Sequence, residues 1–139
     1  MTELVALKQA LATEQAVVYG YGVVGAHLSG KDRRIAAARL VTHQNLRDRI
    51  SALIAAAGAV PPAALPAYRL PAPVTDAATA RQLAAHLEDG AAGAAWDLAA
   101  STAARSPARG VAVGWLTDAA VAAAHWGSAP TALPGKPAS

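Results

Sequence analysis

Apolar residues recur along this chain at alternating steps of three and four, the spacing that stacks side chains on one face of an α-helix. In the first segment the stripe reads Leu4, Leu7, Leu11, Glu14, Val18, Tyr21, Gly25 and Leu28, which predicts a helix from about Thr2 to Ser29. Ser29-Gly30 is a stop, and Lys31-Asp32 opens a second helix that runs to about Ala57, with Gly58 as its C-cap. Its stripe is Ala36, Leu40, His43, Ile50 and Leu53. Thr75-Asp76 caps a third helix from Ala77 to about Ala104, and Ser106-Pro107 starts a fourth that ends near Trp126.

Five prolines fall between residues 59 and 75, at Pro61, Pro62, Pro66, Pro71 and Pro73. Proline lacks an amide donor and clashes with a preceding helical turn, so this stretch is predicted to be extended. Connections in simple bundles take about 2–8 residues, and this one is longer. At ~3.1 Å per residue it covers ~50 Å in polyproline geometry, whereas a helix of about 27 residues is ~40 Å long. The segment can therefore cross the whole bundle. The predicted fold is all-α: a four-helix bundle over residues 1–127, made of two helical hairpins joined by a Pro-rich crossover at 59–75. The tail from 128 to 139, with Pro130, Pro134 and Pro137, is expected to be disordered.

Composition sharpens this picture. The 40 alanines and the absence of Phe give thin helices that pack closely, with few large side chains to fill a core. The third helix is apolar nearly all round from Ala91 to Ala104, so a homodimer or a protein partner is expected to cover apolar helix faces. The net charge of +3 is spread out, and the densest basic cluster, Lys31-Asp32-Arg33-Arg34, is broken by an acid. That pattern argues against nucleic-acid binding. No stretch is long and apolar enough to span a membrane, and Met1-Thr2-Glu3-Leu4 has no secretory n-region, so a cytoplasmic protein is expected. Zero cysteines exclude disulfides and thiolate ligands.

Gly20-Tyr21-Gly22-Val23-Val24-Gly25 matches the GxGxxG pattern of dinucleotide-binding loops. Its context is helical on both sides, without the strand–helix alternation such a fold requires. The glycines are better read as points of close helix approach.

The chemistry-bearing residues are few. Of three Glu and four His, Glu14, His43, Glu88 and His125 fall one per helix, at positions that antiparallel hairpins bring to similar heights. Helix pair, long crossover and helix pair, with a carboxylate on helices one and three, resembles the ferritin-like superfamily. The chain is also similar in style to an actinobacterial ferritin-like family of unknown function. The superfamily resemblance implies single glutamates at Glu14 and Glu88 and motif histidines at His43 and His125. It also implies glutamates three residues before each histidine, where this chain has Leu40 and Ala122.

Two carboxylates cannot neutralise two iron ions, so a dinuclear oxidase centre is disfavoured. A single Fe, Mn or Zn ion on Glu14, His43, Glu88 and His125 is the alternative. The favoured reading is a satisfied polar network, with Arg39 and Arg47, one turn either side of His43, as charge partners of Glu14. No GxSxG, HExxH or P-loop spacing occurs. His27 and His86 are read as structural. Trp96, Trp115 and Trp126 are read as core or interface filling. The leading functional expectation is a non-catalytic interaction or assembly module without a bound cofactor. A mononuclear metal- or small-ligand-binding protein comes second, and a diminished di-iron oxidoreductase third.

Overall fold

The computed structural model describes residues 1–136. It contains four helices and, among the described residues, no strand: α1 (Glu3–Ala26), α2 (Gly30–Ala56), α3 (Ala77–Ala100) and α4 (Pro107–Trp126). Each start has a local cause. Thr2 and Asp76 accept from the backbone N–H three residues on, and Thr79 closes a reciprocal cap onto Asp76. Pro107 occupies the first turn of α4, where its missing N–H costs nothing. Gly30, Gly58 and Gly127 take positive φ at the helix boundaries.

The third helix ends four residues earlier than its pattern predicts. Ser101 and Thr102 turn their hydroxyls onto the carbonyls of Asp97 and Ala99, and the turn before Pro107 begins there.

α1 is the central element, packed against both α2 and α3, and α3 packs in turn on α4. The core is a continuous layer of small and aliphatic side chains: Leu7, Leu11, Val17, Tyr21 and Val24 from α1, Ile50 and Ile54 from α2, Leu83, Ala84, Ala91 and Leu98 from α3, and Trp115 and Ala119 from α4. Val17 and Val24 are buried where the predicted stripe gives Val18 and Gly25. At 3.6 residues per turn the buried face is wider than a single seam, because α1 has neighbours on two sides.

Residues 59–75 cross the bundle along α1. Gln15 donates to the Pro62 carbonyl at 2.8 Å, the Tyr68 ring packs tilted against Tyr19 with centroids 5.7 Å apart, and Leu70 and Val74 pack on the core. α3 therefore starts beside the start of α2, and the two run in the same direction. Arg81 pairs with Asp32 at 3.2 Å near that end.

The tail differs from its expectation between residues 128 and 136, and the rest of that expectation, 137–139, lies outside the described residues. Ser128 donates to Asp89, Gly135 lies against Ala92 and Gly93, and Lys136 sits over Trp96 at 5.7 Å. The tail so covers part of the apolar α3 surface. No helix among the described residues is long and apolar enough to cross a membrane.

Candidate functional site

Glu14, His43 and Glu88 are fully buried and meet at the centre of the bundle. The imidazole of His43 lies between the two carboxylates, with Nδ1 at 2.6 Å from Glu14 Oε2 and Nε2 at 3.0 Å from Glu88 Oε1. Both ring nitrogens face carboxylate oxygens, so the arrangement is that of an imidazolium donating on both sides. Burial lowers the proton affinity of His43, but the hydrogen bonds and charges of Glu14 and Glu88 outweigh it and push the pKa up to about 9.

Glu88 is the hub. Its Oε1 accepts from Tyr21 Oη at 2.6 Å, from Arg39 Nε at 2.8 Å and from His43 Nε2, while Oε2 accepts from Arg39 Nη2 at 3.0 Å. Burial raises its pKa, yet the bonds from His43 and Arg39 prevail and hold it below the usual carboxylate value. Tyr21 Oη in turn accepts from Trp126 Nε1 at 3.0 Å. Burial, then the Glu88 charge, push the Tyr21 phenol well above its ordinary range. Arg39 continues the network outward through Nη1 to Asp118 Oδ2 at 2.8 Å, at the surface. All four helices are thereby tied into one network.

Glu14 is the weakest-served member. Its Oε2 is held by His43, but its Oε1 is buried without a hydrogen-bond partner. Burial raises its pKa, and the opposing charge and hydrogen bond of His43 do not cancel that effect.

His125 does not join the other three. It is exposed, and its ring meets Trp126 edge-on at 5.0 Å. The inward face of α4 is Ala108, Val111, Ala112, Trp115, Ala119, Ala122, Ala123 and Trp126. A neighbour one residue away on a helix is turned by about 100°, so burying Trp126 swings His125 outward. α4 contributes the indole N–H of Trp126 and, about two turns earlier, the carboxylate of Asp118.

Arg47 is also outside the network. It donates to its neighbour Asp48 at 3.0 Å, with 34% of its side chain exposed. Arg39 is the arginine that enters, and its partner is Glu88 rather than Glu14. The register of α2 against α3 explains this, because the pairs Asp32–Arg81 and Arg39–Glu88 have the same sequence separation of 49. Leu40 and Ala122 pack as hydrophobic residues.

Sequence reasoning missed Asp118 and the polar roles of Tyr21 and Trp126. Tyr21 sits in the same helix stripe as Glu14, two turns on, and a hydroxyl in a buried stripe is the signal that was available. Asp118 has none, since it is exposed and its partner Arg39 comes from a helix far away in the sequence.

A separate groove of about 600 Å³ lies between α3, α4 and the tail, walled by Ala92, Ala120, Val121, Ala124, Pro130 and Pro134. It does not include the network. Among the described residues, no three His, Asp or Glu side chains stand in a metal-holding group as they are.

Residues 6–138 match the profile of a family described as a domain of unknown function, DUF4439. The chain is similar to a conserved hypothetical protein of Mycobacterium tuberculosis known from its crystal structure. The two share 35% identity over 89% of this chain and 93% of the other, with a TM-score of 0.85. No curated protein matches.

Proposed function

The chain belongs to the DUF4439 family, and from the network at its centre we propose that it is a ferritin-like bundle that works by association rather than by catalysis. The observation that carries this reading is the fork of Arg39 on Glu88, two bonds of 2.8 and 3.0 Å in the bundle interior. Glu14 on α1 and Glu88 on α3 hold the places where a ferritin-like centre has single carboxylates, and His43 holds that of a motif histidine. The remaining donor set does not suit two metal ions. Leu40 and Ala122 stand where two more carboxylates belong, His125 faces outward, and a guanidinium supplies the countercharge. The residues present form a polar lattice that fixes how the four helices pack. Its one buried oxygen without a hydrogen-bond partner is Glu14 Oε1, and neither that atom nor any other of the network lines the groove between α3, α4 and the tail.

Association is supported by what the outer surface exposes. Val113 and Val121 on α4 are 51% and 67% exposed, and Val41 on α2 is 53% exposed. The partner we propose first is a second copy of the chain, in the cytoplasm, meeting through these apolar helix faces. A specific observation keeps a second reading in view: the orphaned Glu14 Oε1 suits a protein that takes up one small ligand or ion.

The test has two parts on the wild-type chain. Elemental analysis after loading with ferrous iron, Mn²⁺ or Zn²⁺ and desalting is expected to find no stoichiometric metal. One ion per chain, lost in Glu14→Ala, would replace this reading with the mononuclear one. Sedimentation velocity is expected to show a dimer that Val121→Lys weakens. A monomer at all concentrations would remove the homodimer.

A further inference from the structure

The chain beyond α4 arches over the groove between α3 and α4 and is tied down at both ends. Ser128 donates to Asp89 Oδ2 at 2.7 Å, and further on Gly135 rests against the backbone of Ala92 and Gly93. Between these ties the groove of about 600 Å³ runs over Ala92 of α3 and over Ala120, Val121 and Ala124 of α4. We propose that it binds a small apolar organic anion, such as a medium-chain or aromatic carboxylate, with the acid group at Lys136. The groove shares no residue with the central network, so binding here is independent of what that network does.

The concave shape has a local cause. Alanine supplies most of the helix walls, so the side chains stop at Cβ where longer residues would reach the tail. The tail cannot settle lower, because Pro130 and Pro134 restrict its backbone and Gly135 already touches helix backbone. The volume lies within the ~300–1,000 Å³ of small-ligand sites, and mainly apolar walls with a few polar groups are what such sites present.

The two ends of the groove differ in charge. At the Ser128 end stand the Asp89 carboxylate and the last carbonyls of α4, which carry the negative pole of that helix. At the other end is Lys136, with Nζ 5.7 Å over the Trp96 ring. Asp89 and Trp96 are seven residues apart on one face of α3, which separates the two ends by ~10 Å. Asp89 already serves Ser128, whereas among the described residues Lys136 has no carboxylate partner, and the ring face leaves its N–H groups to donate. An anion with an apolar body as long as the groove therefore lies with its acid on Lys136, its body on the alanines and its far end toward Asp89.

The probe is decanoate, titrated calorimetrically into the full-length chain below its micelle-forming concentration, and a single saturable site per chain is expected. Lys136→Ala removes the charge partner and Ala120→Leu fills the groove. Each should weaken binding at least about tenfold with little change in melting temperature. Should Ala120→Leu not fold, Ala124→Leu on the more exposed wall makes the same test. Decylamine, with the charge reversed on a chain of the same length, should bind at least about tenfold more weakly than decanoate. Bound decanoate should also slow proteolysis within residues 128–136, because it bridges the tail to both helices. No saturable site in wild type, or binding that survives either Lys136→Ala or the groove-filling change, overturns the proposal. Decylamine binding as tight as decanoate, or proteolysis of the tail unchanged at saturation, overturns it as well. Sedimentation velocity with and without decanoate keeps this site apart from self-association: a chain that is monomeric in both and still binds decanoate removes the second copy and supports the site.

Discussion

His43 Nδ1 and Glu14 Oε2 lie 2.6 Å apart in a part of the bundle where neither side chain has any solvent exposure. Each group would be costly to bury alone, so removing one harms the other. His43→Leu is expected to destabilise the fold by about 3–5 kcal/mol, the range for breaking a buried charged pair. Glu14→Leu combined with His43→Leu should lose less than the sum of the two single changes. Urea denaturation of the four proteins in this cycle measures the coupling directly. Additive losses would mean that the pair contributes nothing beyond its separate packing.

The same groups set how stability varies with pH. His43 is raised from 6.5 to about 9, so its contribution is fully present below pH 6.5 and is lost as pH rises through about 9. A raised Glu14 acts in the same sense, since the folded chain holds its proton more tightly. Glu88 is lowered below 4.5, so its contribution is present above that value and is lost as pH falls further. Stability is therefore expected to peak in mildly acidic to neutral solution. It should fall by on the order of 3 kcal/mol between pH 6.5 and 9 through His43 alone. Thermal melts across this range should show an alkaline slope that flattens in His43→Gln. An unchanged slope in that variant would assign it to other groups.

Tyr21 carries two bonds at once, donating to Glu88 and accepting from Trp126. Tyr21→Phe keeps the ring but leaves the buried indole N–H without its acceptor and Glu88 with one donor fewer. A loss of about 1–3 kcal/mol is expected, from the cost of an unmet buried polar group. Trp126 fluorescence, read alongside the denaturation curve, should shift as the indole loses its partner.

Two glycines of the GxGxxG stretch separate packing from propensity. A Cβ on Gly20 would lie 2.6 Å from Leu87 Cδ1 and 3.3 Å from its Cγ, whereas Gly22 faces open space. Gly22→Ala is expected to stabilise by about 0.5–1 kcal/mol through helix propensity alone. Gly20→Ala should forfeit that gain or become destabilising, as Leu87 is forced from its place between α1 and α3. Equal midpoints for the two variants would show that the close approach at Gly20 costs nothing to relieve.

Much of the architecture was legible because helical period, caps and proline placement all act locally. The four helices, the crossover and the inward positions of Glu14, His43 and Glu88 follow from such signals. What was not legible depends on the rotation of one helix against another. His125 and Trp126 are adjacent in an Ala-rich helix whose weak pattern does not say which of them points inward, and a turn of about 100° decides it. Arg39 and Arg47 flank His43 symmetrically along the sequence, and only the register of α2 beside α3 selects Arg39. Asp118 entered the network from an exposed position, for which periodicity carries no information.

The tail supplies the last test. Gly135 has φ +76°, and a Cβ there would collide with the Ala92 carbonyl group. Neither the backbone conformation nor the contact tolerates a side chain, and the obstacle is helix backbone that cannot yield. Gly135→Ala is therefore expected to lift the end of the tail from α3, separating Lys136 from Trp96 and uncovering Ala92 and Gly93. Limited proteolysis should cut within residues 128–136 at least severalfold faster in the variant, and hydrogen exchange there should accelerate. The melting temperature of the bundle should hardly move, because the tail takes no part in the central network. A large drop would instead make the tail an integral part of the folded core.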